Sequence, residues 1–357
     1  MSRGSHAWAA GGATAALLWT LAAGDATATH QTPPSDPEAM RLLRDAAGAA
    51  RTTSYEGTQF IAAWASGGPT RSQVKVVHTS DDGAVVHTGR SAADRRIVQP
   101  DAGLGGFTQQ MLDLLAHNYS VVRAPDTRVC ERPARVVEAR RSDGSVAGRF
   151  WIDRDTGLML HRELVGTHGE PVIVAGFSAL TVGRAAMRAP LRGRGVSAGR
   201  IRQSTGAQAA VTAPWGHRLV DTELARMRAG GWTMPRALPG RLALYEARRS
   251  QPDTVVHLSY SDGLSAVSVF VQRGDLDEHR FAGWRKRDVG GTTVFERSSL
   301  QQWAVWASRG YVYTVLADAP RSTTESVVAA LPHGGSGFWD RPARGLTRLG
   351  SWLNPFS

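Results

Sequence analysis

Residues 146 to 165, VAGRFWIDRDTGLMLHRELV, decide the fold of the first half of the chain. Apolar and charged side chains alternate in this stretch, as Arg149-Phe150-Trp151-Ile152-Asp153 shows. Such alternation predicts strands with one buried and one solvated face. Asp155-Thr156-Gly157 separates the two apolar runs and has the composition of a tight turn. The stretch therefore predicts an antiparallel hairpin.

Strands of the same kind are predicted on both sides of this hairpin. They cover residues 59–61, 73–78, 84–87, 135–140 and 171–180. Two helices accompany them. The first is capped by Asp36, has Pro37 at its first position and ends near Arg51, and the second runs from Thr108 to His117. The spacing is that of one antiparallel meander with helices beside it.

A second block of strands begins after Trp215. Its predicted strands cover residues 242–247, 255–260, 264–272, 292–296, 303–307 and 311–317, and its predicted helices cover 222–228 and 322–330. A chain of 357 residues is long enough for two domains. We therefore predict a first domain at residues 36–183 and a second, smaller α+β domain at 214–332.

The segment between the two blocks is strongly basic. Residues 184 to 220 contain seven arginines, among them Arg192, Arg194 and Arg200, and no Asp or Glu. Like charges repel, which favours a solvated linker at 184–213. The two signs nearly cancel in the rest of the chain, and the segment has no aromatic residue before Trp215. A face for binding nucleic acid is therefore not predicted.

The two ends of the chain have their own signals. Residues 1–29 combine a short polar start, an apolar run from Ala7 to Ala23 and the small-residue site Ala26-Thr27-Ala28, which predicts a cleaved export signal. The alternative is an uncleaved single-span anchor. Residues 333–357 mix tryptophan and leucine with arginine. This basic amphipathic tail either contacts anionic lipid or, as we favour, packs on the protein or stays mobile. The signal predicts an extracytoplasmic protein of the cell envelope.

The sequence contains no catalytic motif whose flanking residues fit the structure that the motif requires. Gly195-Val196-Ser197-Ala198-Gly199 matches a nucleophile elbow, but arginines flank it instead of an apolar strand and a helix. Cys130 is the only cysteine, and the histidines stand singly without zinc-binding spacing. No phosphate-binding glycine loop is present. The sequence predicts a protein that is not an enzyme and holds no metal or cofactor.

Aromatic and large apolar residues of the first block have two interpretations. An ordinary core is the favoured one. The alternative is an incompletely filled sheet with helices as a lid, a shape that admits an acyl chain. The candidate lining residues of such a cavity are Phe60, Trp64, Met111, Leu112, Phe150 and Trp151.

Several stretches resemble the MucB/RseB family of sigma-factor regulatory proteins, actinobacterial type. In the second block these are Tyr260-Ser261-Asp262-Gly263-Leu264 with the following Val267 to Val271, Trp232-x-x-Pro235, and Leu238-Pro239-Gly240. In the first block they are Cys130, Val136-Val137, Asp143-Gly144, Phe150-Trp151-Ile152-Asp153 and Gly157-Leu158. The resemblance covers about residues 38 to 332.

The resemblance implies a fold and a function. The first domain would be a LolA-like half-open antiparallel β-barrel with covering helices, and the second a smaller antiparallel-sheet α+β domain. The protein would be an exported negative regulator of an envelope-stress sigma factor. It would bind the outer part of a membrane-spanning anti-sigma factor and sense lipid. The alternative is a lipid or lipoprotein carrier of the cell envelope, and an exported hydrolase is a distant third.

Two segments are candidates for contact with the protein partner. One is the linker, through Arg192, Arg194 and Arg200, and the other is the stretch that contains Tyr260, Asp262 and Leu264. A hairpin turn explains Ser261-Asp262-Gly263 equally well without any binding role. Both explanations stay open from the sequence.

Overall fold

Two antiparallel sheets make up the described part of the chain in this computed structural model. The structure describes residues 33–65, 68–80, 85–88, 104, 106–183, 217–250 and 255–334. The predicted export signal, the arginine-rich linker with Arg192, Arg194 and Arg200, and the basic tail lie outside these residues. No helix within the described ranges is long and apolar enough to cross a membrane.

The first sheet has eight strands. They are β1 (Tyr55–Ala65), β2 (Gly68–His78), β3 (Val85–Thr88), β4 (Ser120–Val129), β5 (Arg132–Arg140), β6 (Val146–Asp153), β7 (Met159–Val165) and β8 (Pro171–Val182). Their order is β3-β2-β1-β8-β7-β6-β5-β4, so every neighbour except the pair β1 and β8 is a sequential hairpin. The described strands β3 and β4 end this order, and the sheet is therefore open.

The second sheet has nine strands. They are β9 (His217–Arg218), β10 (Ala237–Leu238), β11 (Leu242–Arg249), β12 (Val255–Ser261), β13 (Ala266–Arg273), β14 (Arg285–Val289), β15 (Thr292–Ser298), β16 (Gln302–Ser308) and β17 (Tyr311–Asp318). The order is β10-β11-β12-β13-β17-β16-β15-β14, and the short β9 also pairs with β11. The strand β14 lies at the edge. The predicted fold class, an α+β chain with an open, helix-covered antiparallel sheet followed by a second antiparallel sheet, is confirmed.

Helices α1 (Pro37–Thr52) and α2 (Gln109–Asn118) cover one face of the first sheet. Both begin at a capping residue, Asp36, which was predicted as a cap, and Thr108, which was not. The Asp36 carboxylate accepts a hydrogen bond from Glu38 N at 2.8 Å, and Thr108 Oγ1 accepts one from Met111 N at 3.2 Å. A cap of this kind satisfies backbone N–H groups that the helix itself leaves unpaired. Helices α3 (Asp221–Ala229) and α4 (Arg321–Ala330) belong to the second sheet.

Side chains of the first sheet separate onto two faces because neighbouring residues of a strand point in opposite directions. Phe150 lies in register with Arg162, Ala175 and Ile61 across β6, β7, β8 and β1. This row lies on the face that α1 and α2 cover. Trp151, His161, Gly176 and Phe60 form the next row, which lies on the opposite face.

The second sheet is built on a large aromatic core. Trp306 and Tyr313 are fully buried and stack with ring centroids 5.4 Å apart. The indole N–H of Trp306 donates to the Pro332 carbonyl at 2.9 Å, so its polar atom is satisfied. Val327 and Val328 of α4 join the same core.

Besides the two-residue strands β9 and β10, the strands β4 and β14 were not predicted. β4 contains Pro125 and Asp126, which have the composition of a turn, and the structure accommodates them at a register shift between Ala124 and Thr127. β14 is largely charged and lies at an edge, where it has no buried face to produce alternation. In both strands, pairing with a neighbour overrides the local sequence pattern.

The turn between β4 and β5 consists of two non-glycine residues in the left-handed region, Cys130 at φ 49° and Glu131 at φ 62°. This conformation suits a two-residue hairpin turn but strains residues with a Cβ. Glu131 is exposed. We therefore expect Glu131→Gly to raise the free energy of unfolding by about 1 kcal/mol. Chemical denaturation measures it, with Glu131→Ala as the control that keeps the strain. Equal stability of the two variants would contradict the prediction.

Stability at acid pH depends on His257 in β12. Burial lowers the pKa of His257 from 6.5 to about 4, and its ring stacks on Phe270 at 4.4 Å. Because the unfolded chain binds the proton more readily, stability is complete above pH 6.5 and falls as the pH drops toward 4, by about 3 kcal/mol in total. The free energy of unfolding, measured across this pH range, should depend less steeply on pH in His257→Gln than in the wild type. The exposed-turn variant His168→Gln should keep the wild-type slope, and a wild-type slope in His257→Gln would refute the assignment.

Candidate functional site at the junction of the two sheets

The hairpin that joins β12 to β13 builds its own tight tip. Asp262 Oδ1 accepts hydrogen bonds from Leu264 N at 2.8 Å and from Ser265 N at 2.6 Å. Ser261 Oγ accepts one from Gly263 N at 2.9 Å and donates to the Ser265 carbonyl at 2.8 Å. Gly263 has φ +99°, a conformation that glycine adopts without strain. The side chains of the Ser-Asp-Gly sequence thus stabilise the turn that they form.

The same tip contacts the end of α2 in the first sheet. The second oxygen of Asp262, Oδ2, accepts a hydrogen bond from the Tyr119 hydroxyl at 2.7 Å. The Asn118 side-chain amide donates to the Asp262 carbonyl at 3.0 Å. All three residues are buried. One carboxylate therefore fixes its own turn with one oxygen and ties the turn to the first sheet with the other.

Backbone and side chains approach closely around these hydrogen bonds. A Cβ placed on Gly263 would lie 2.3 Å from Leu115 N of α2. Leu264 packs against the core under α2, and its Cδ2 lies 2.9 Å from the position that a Cβ on Gly148 of β6 would take. Two glycines, one from each sheet, thus allow the contact.

Arg241 completes this contact from the turn before β11. Its Nη1 donates to the Asn118 carbonyl at 2.7 Å, and its guanidinium carbon lies 4.9 Å from the centre of the Tyr119 ring. The arginine therefore satisfies a carbonyl at the end of α2 and stacks on an aromatic face. We call the whole set the junction. It comprises Leu115, Asn118, Tyr119, Gly148, Arg241, Asp262, Gly263 and Leu264.

The electrostatics of the junction keep Tyr119 neutral. Burial, and then the charge and hydrogen bond of Asp262, raise the pKa of the Tyr119 hydroxyl well above its usual value. The hydroxyl is therefore a donor to the carboxylate at every physiological pH. A hydrogen bond to a buried charged acceptor is stronger than one between neutral groups.

Two buried charges belong to the same region. Burial lowers the pKa of Arg162 in β7 and raises the pKa of Asp318 at the end of β17, while the opposite charge of each acts against the shift of the other. Asp318 Oδ1 has no hydrogen-bond partner among the described residues. Arg162 of the first sheet and Asp318 of the second thus interact electrostatically away from water. Removing one of the two charges would leave the other buried and unpaired, which lowers stability.

Of the predicted partner-contact residues of this stretch, Tyr260 and Asp262 are buried and Leu264 is half-buried. Tyr260 is fully buried in the second core and donates its hydroxyl hydrogen to the Pro235 carbonyl at 2.8 Å. Asp262 and Leu264 contact the first sheet of the same chain. A tight turn with a following leucine fits against a helix end as well as it fits a foreign protein.

The six predicted ligand-binding residues do not line one common cavity. Met111, Leu112 and Phe150 lie in the core between the sheet and its two helices. Phe60, Trp64 and Trp151 lie on the opposite face. Phe150 and Trp151 are neighbours on one strand and therefore point to opposite faces of the sheet.

The opposite face carries an aromatic row of its own. The His161 ring lies 4.6 Å from the Trp151 ring and 5.8 Å from the Phe60 ring. The Arg71 guanidinium lies 4.9 Å from the centre of Phe60. Trp64 follows Phe60 along β1 and is 40% exposed. The row stabilises this face of the sheet and leaves one indole in contact with solvent.

The described ranges contain no cluster of metal-binding side chains. No group of three or more His, Cys, Asp or Glu residues is placed there to hold a metal ion. The Cys130 thiol donates to the Phe177 carbonyl at 2.6 Å, and burial raises its pKa. A protonated, hydrogen-bonded thiol is a poor nucleophile.

Sequence reasoning missed Asn118, Tyr119 and Arg241 as junction residues. Each is a single polar or aromatic residue at the end of an element, and no motif surrounds it. One signal was available: Asn118 and Tyr119 directly follow the apolar face of a short helix, where a large buried polar group needs a partner from elsewhere.

Part of this chain is similar to known proteins. The family model of the MucB/RseB N-terminal domain matches residues 72–195. A curated relative, the sigma factor AlgU regulatory protein MucB of Pseudomonas aeruginosa, is 27% identical over 242 residues, which are 64% of this chain and 68% of the relative.

Solved structures of MucB are also similar to this chain. The crystal structure of MucB in complex with MucA(peri) has 22% identity and a TM-score of 0.43, and the similarity covers 83% of this chain and all of that one. The Pseudomonas aeruginosa MucA/MucB complex has 23% identity and a TM-score of 0.40, with 81% of this chain and 96% of that chain covered. The chain is thus similar to the MucB/RseB N-terminal domain over residues 72–195 and to the regulatory protein MucB over 64% of its length.

Proposed function

We propose that the chain is an extracytoplasmic negative regulator of an envelope-stress sigma factor. In this role it binds the outer part of a membrane-spanning anti-sigma factor and makes or breaks no covalent bond. The observation that carries the proposal is the match of the MucB/RseB N-terminal domain model to residues 72–195, together with the similarity to a curated relative named as a regulatory protein of the sigma factor AlgU. The N-terminal export signal predicted from the sequence agrees with a site of action outside the cytoplasm.

The junction supplies a physical basis for regulation. It holds the two sheets through hydrogen bonds of Asn118, Tyr119 and Arg241 together with the packing of Leu264, so the same chain can exchange between docked and separated states. A partner that binds one state better shifts the population by its difference in affinity, and about 1.4 kcal/mol gives a tenfold change. We propose that partner binding selects the arrangement of the two sheets.

A lipid signal would act on the helix-covered face of the first sheet. Met111, Leu112 and Phe150 lie there, and Leu264 of the second sheet packs into the same core. An acyl chain entering this core would compete with Leu264 for the same apolar contacts. Lipid binding and junction docking would therefore oppose each other, which links the signal to the partner-bound state.

The test uses the tagged full chain and membranes of its own host. After crosslinking we expect recovery of one single-span protein that also binds a sigma factor on its cytoplasmic side. Deleting the gene should raise transcription from that sigma factor's promoters. Purified protein that carries stoichiometric lipid and recovers no such membrane protein would favour the carrier instead. Unchanged transcription after deletion would overturn the regulatory role.

A further inference from the structure

A second polar site lies in the second sheet, near the edge strand β14, which three strands separate from the β12–β13 hairpin in the order of the sheet. The cleft between α4 and the strands β14, β15 and β16 is lined by Arg285, Arg287, Glu296, Ser298, Gln302, Trp303, Ala304, Arg321, Thr324, Glu325 and Val328. Three arginines and two glutamates give this cleft a net positive charge. The junction shares no residue with it.

The arginines are arranged by the two glutamates. Glu296 accepts hydrogen bonds from Arg285 and from Arg287 Nε, the latter at 2.6 Å, and Glu325 pairs with Arg321 at 2.8 Å. Arg287 Nη2 is buried and has no hydrogen-bond partner within the described ranges. A buried guanidinium N–H without an acceptor is costly, and an oxygen from a bound group would relieve it.

The cleft borders a strand edge. β14 pairs with β15 on one side, and on its other side no strand of the described chain pairs with it. Its unpaired backbone groups are therefore able to accept another strand. Arg285 and Arg287 are two residues apart, and their side chains share the face that lines the cleft.

Charge decides which strand fits. Arginine and lysine on an edge repel basic strands and disfavour neutral ones, which would desolvate the charges without pairing them, but they attract an acidic strand. In an added strand with a carboxylate at every second position, the carboxylates would lie opposite Arg285 and Arg287. Such opposite-charge pairs stabilise neighbouring strands.

The chain's own C-terminal segment does not match this charge. The described chain ends beside the β14–β15 turn, where Gly334 N donates to Thr292 Oγ1 at 2.9 Å. The residues after it contain Arg341, Arg344 and Arg348 against one acidic residue, Asp340. A basic segment is repelled by three arginines, so the occupant is another polypeptide.

We propose that β14 and the adjoining arginine cleft bind an extended acidic segment of a partner protein by strand addition. The backbone of β14 supplies the hydrogen bonds, and Arg285, Arg287 and Arg321 select carboxylates at alternate positions. The site is independent of the junction, and its test requires no sigma-factor pathway.

The probe is a synthetic heptapeptide of alternating Thr and Glu, blocked at both ends, added to the full chain. We expect saturable binding and slowed amide hydrogen exchange across residues 285–289. The matching Thr-Gln peptide should not bind. Arg285→Gln is a mild change because Glu296 keeps Arg287, and it should weaken binding about tenfold, as should Arg321→Gln.

Lys286→Gln is the matched control. Lys286 lies on the same strand and has the same charge, but its side chain lies over Phe295 and near Glu278 on the other face. Lys286→Gln should change the affinity for the Thr-Glu peptide by less than about twofold. Equal losses for Lys286→Gln and Arg285→Gln would show general charge attraction and overturn the proposal. Absence of binding at about 1 mM peptide, or protection outside β14, would overturn it too.

Discussion

Asp262→Ala is expected to lower the free energy of unfolding of the full chain by about 4 kcal/mol. The carboxylate accepts three hydrogen bonds, from Leu264 N, Ser265 N and the Tyr119 hydroxyl. Alanine leaves these donors without a partner in a buried place, and each buried unsatisfied donor costs free energy. Denaturant unfolding measures the loss. Hydrogen exchange at the end of α2 should rise with it, because the tip holds that end.

The chain contains a matched control for this substitution. Ser142-Asp143-Gly144 has the same three residues as Ser261-Asp262-Gly263, and Asp143 Oδ1 also accepts a hydrogen bond from the backbone two residues on, at 2.8 Å. Asp143 is exposed and contacts no other element through this turn. Asp143→Ala should therefore destabilise the chain far less. Equal losses in the two variants would mean that only the turn matters and that the junction contributes nothing.

Tyr119→Phe separates the contact between the sheets from the turn. It removes the hydroxyl but leaves both backbone hydrogen bonds of Asp262, so we expect a loss of about 1 to 2 kcal/mol. Combined with Asp262→Ala, the two losses should not add, because both remove the same hydrogen bond. Strict additivity would refute the coupling of the two residues.

The two Ser-Asp-Gly turns also show how far sequence reasoning reaches. Alternation of apolar residues and turn chemistry were enough to predict antiparallel hairpins, the Asp36 cap placed the start of the first helix, and apolar spacing placed the second helix within one residue of its observed bounds. The same rules treat both Ser-Asp-Gly turns alike. What distinguishes them is the surface that each tip meets, and this depends on residues more than a hundred positions away, such as Tyr119 against Asp262.

The candidate site was therefore only half visible in the sequence. Sequence reasoning singled out the Tyr260 to Leu264 stretch and left open a partner contact or a plain hairpin turn, whereas the structure shows a turn that also contacts the first sheet of the same chain. The faces on which side chains lie were hidden for a related reason. Adjacent residues such as Phe150 and Trp151 were grouped by their chemistry, whereas the pleat of β6 sends them to opposite sides of the sheet.

Gly263→Ala is expected to separate the two sheets. A Cβ at this position would lie 2.3 Å from Leu115 N and 2.4 Å from Leu115 Cα, and these are backbone atoms that no side-chain rotation can move away. The tip must withdraw from α2, and the Tyr119 and Asn118 hydrogen bonds to Asp262 are then lost with the close contact. We expect a loss of about 3 to 5 kcal/mol, the sum of backbone strain, overpacking and lost hydrogen bonds.

Gly144→Ala isolates the part of this loss that comes from the backbone alone. Gly144 has φ +82° and Gly263 has φ +99°, but a Cβ on Gly144 would meet nothing within 4 Å. Both variants carry the left-handed strain, about 1 kcal/mol, and only Gly263→Ala carries the collision. Faster hydrogen exchange at Leu115 to Tyr119 in Gly263→Ala, and wild-type exchange there in Gly144→Ala, would establish that the sheets are held by this contact. If the two variants lost the same stability and showed the same hydrogen exchange, the close contact at Gly263 would contribute no free energy to docking. A partner or lipid could then not distinguish docked from separated sheets through this contact.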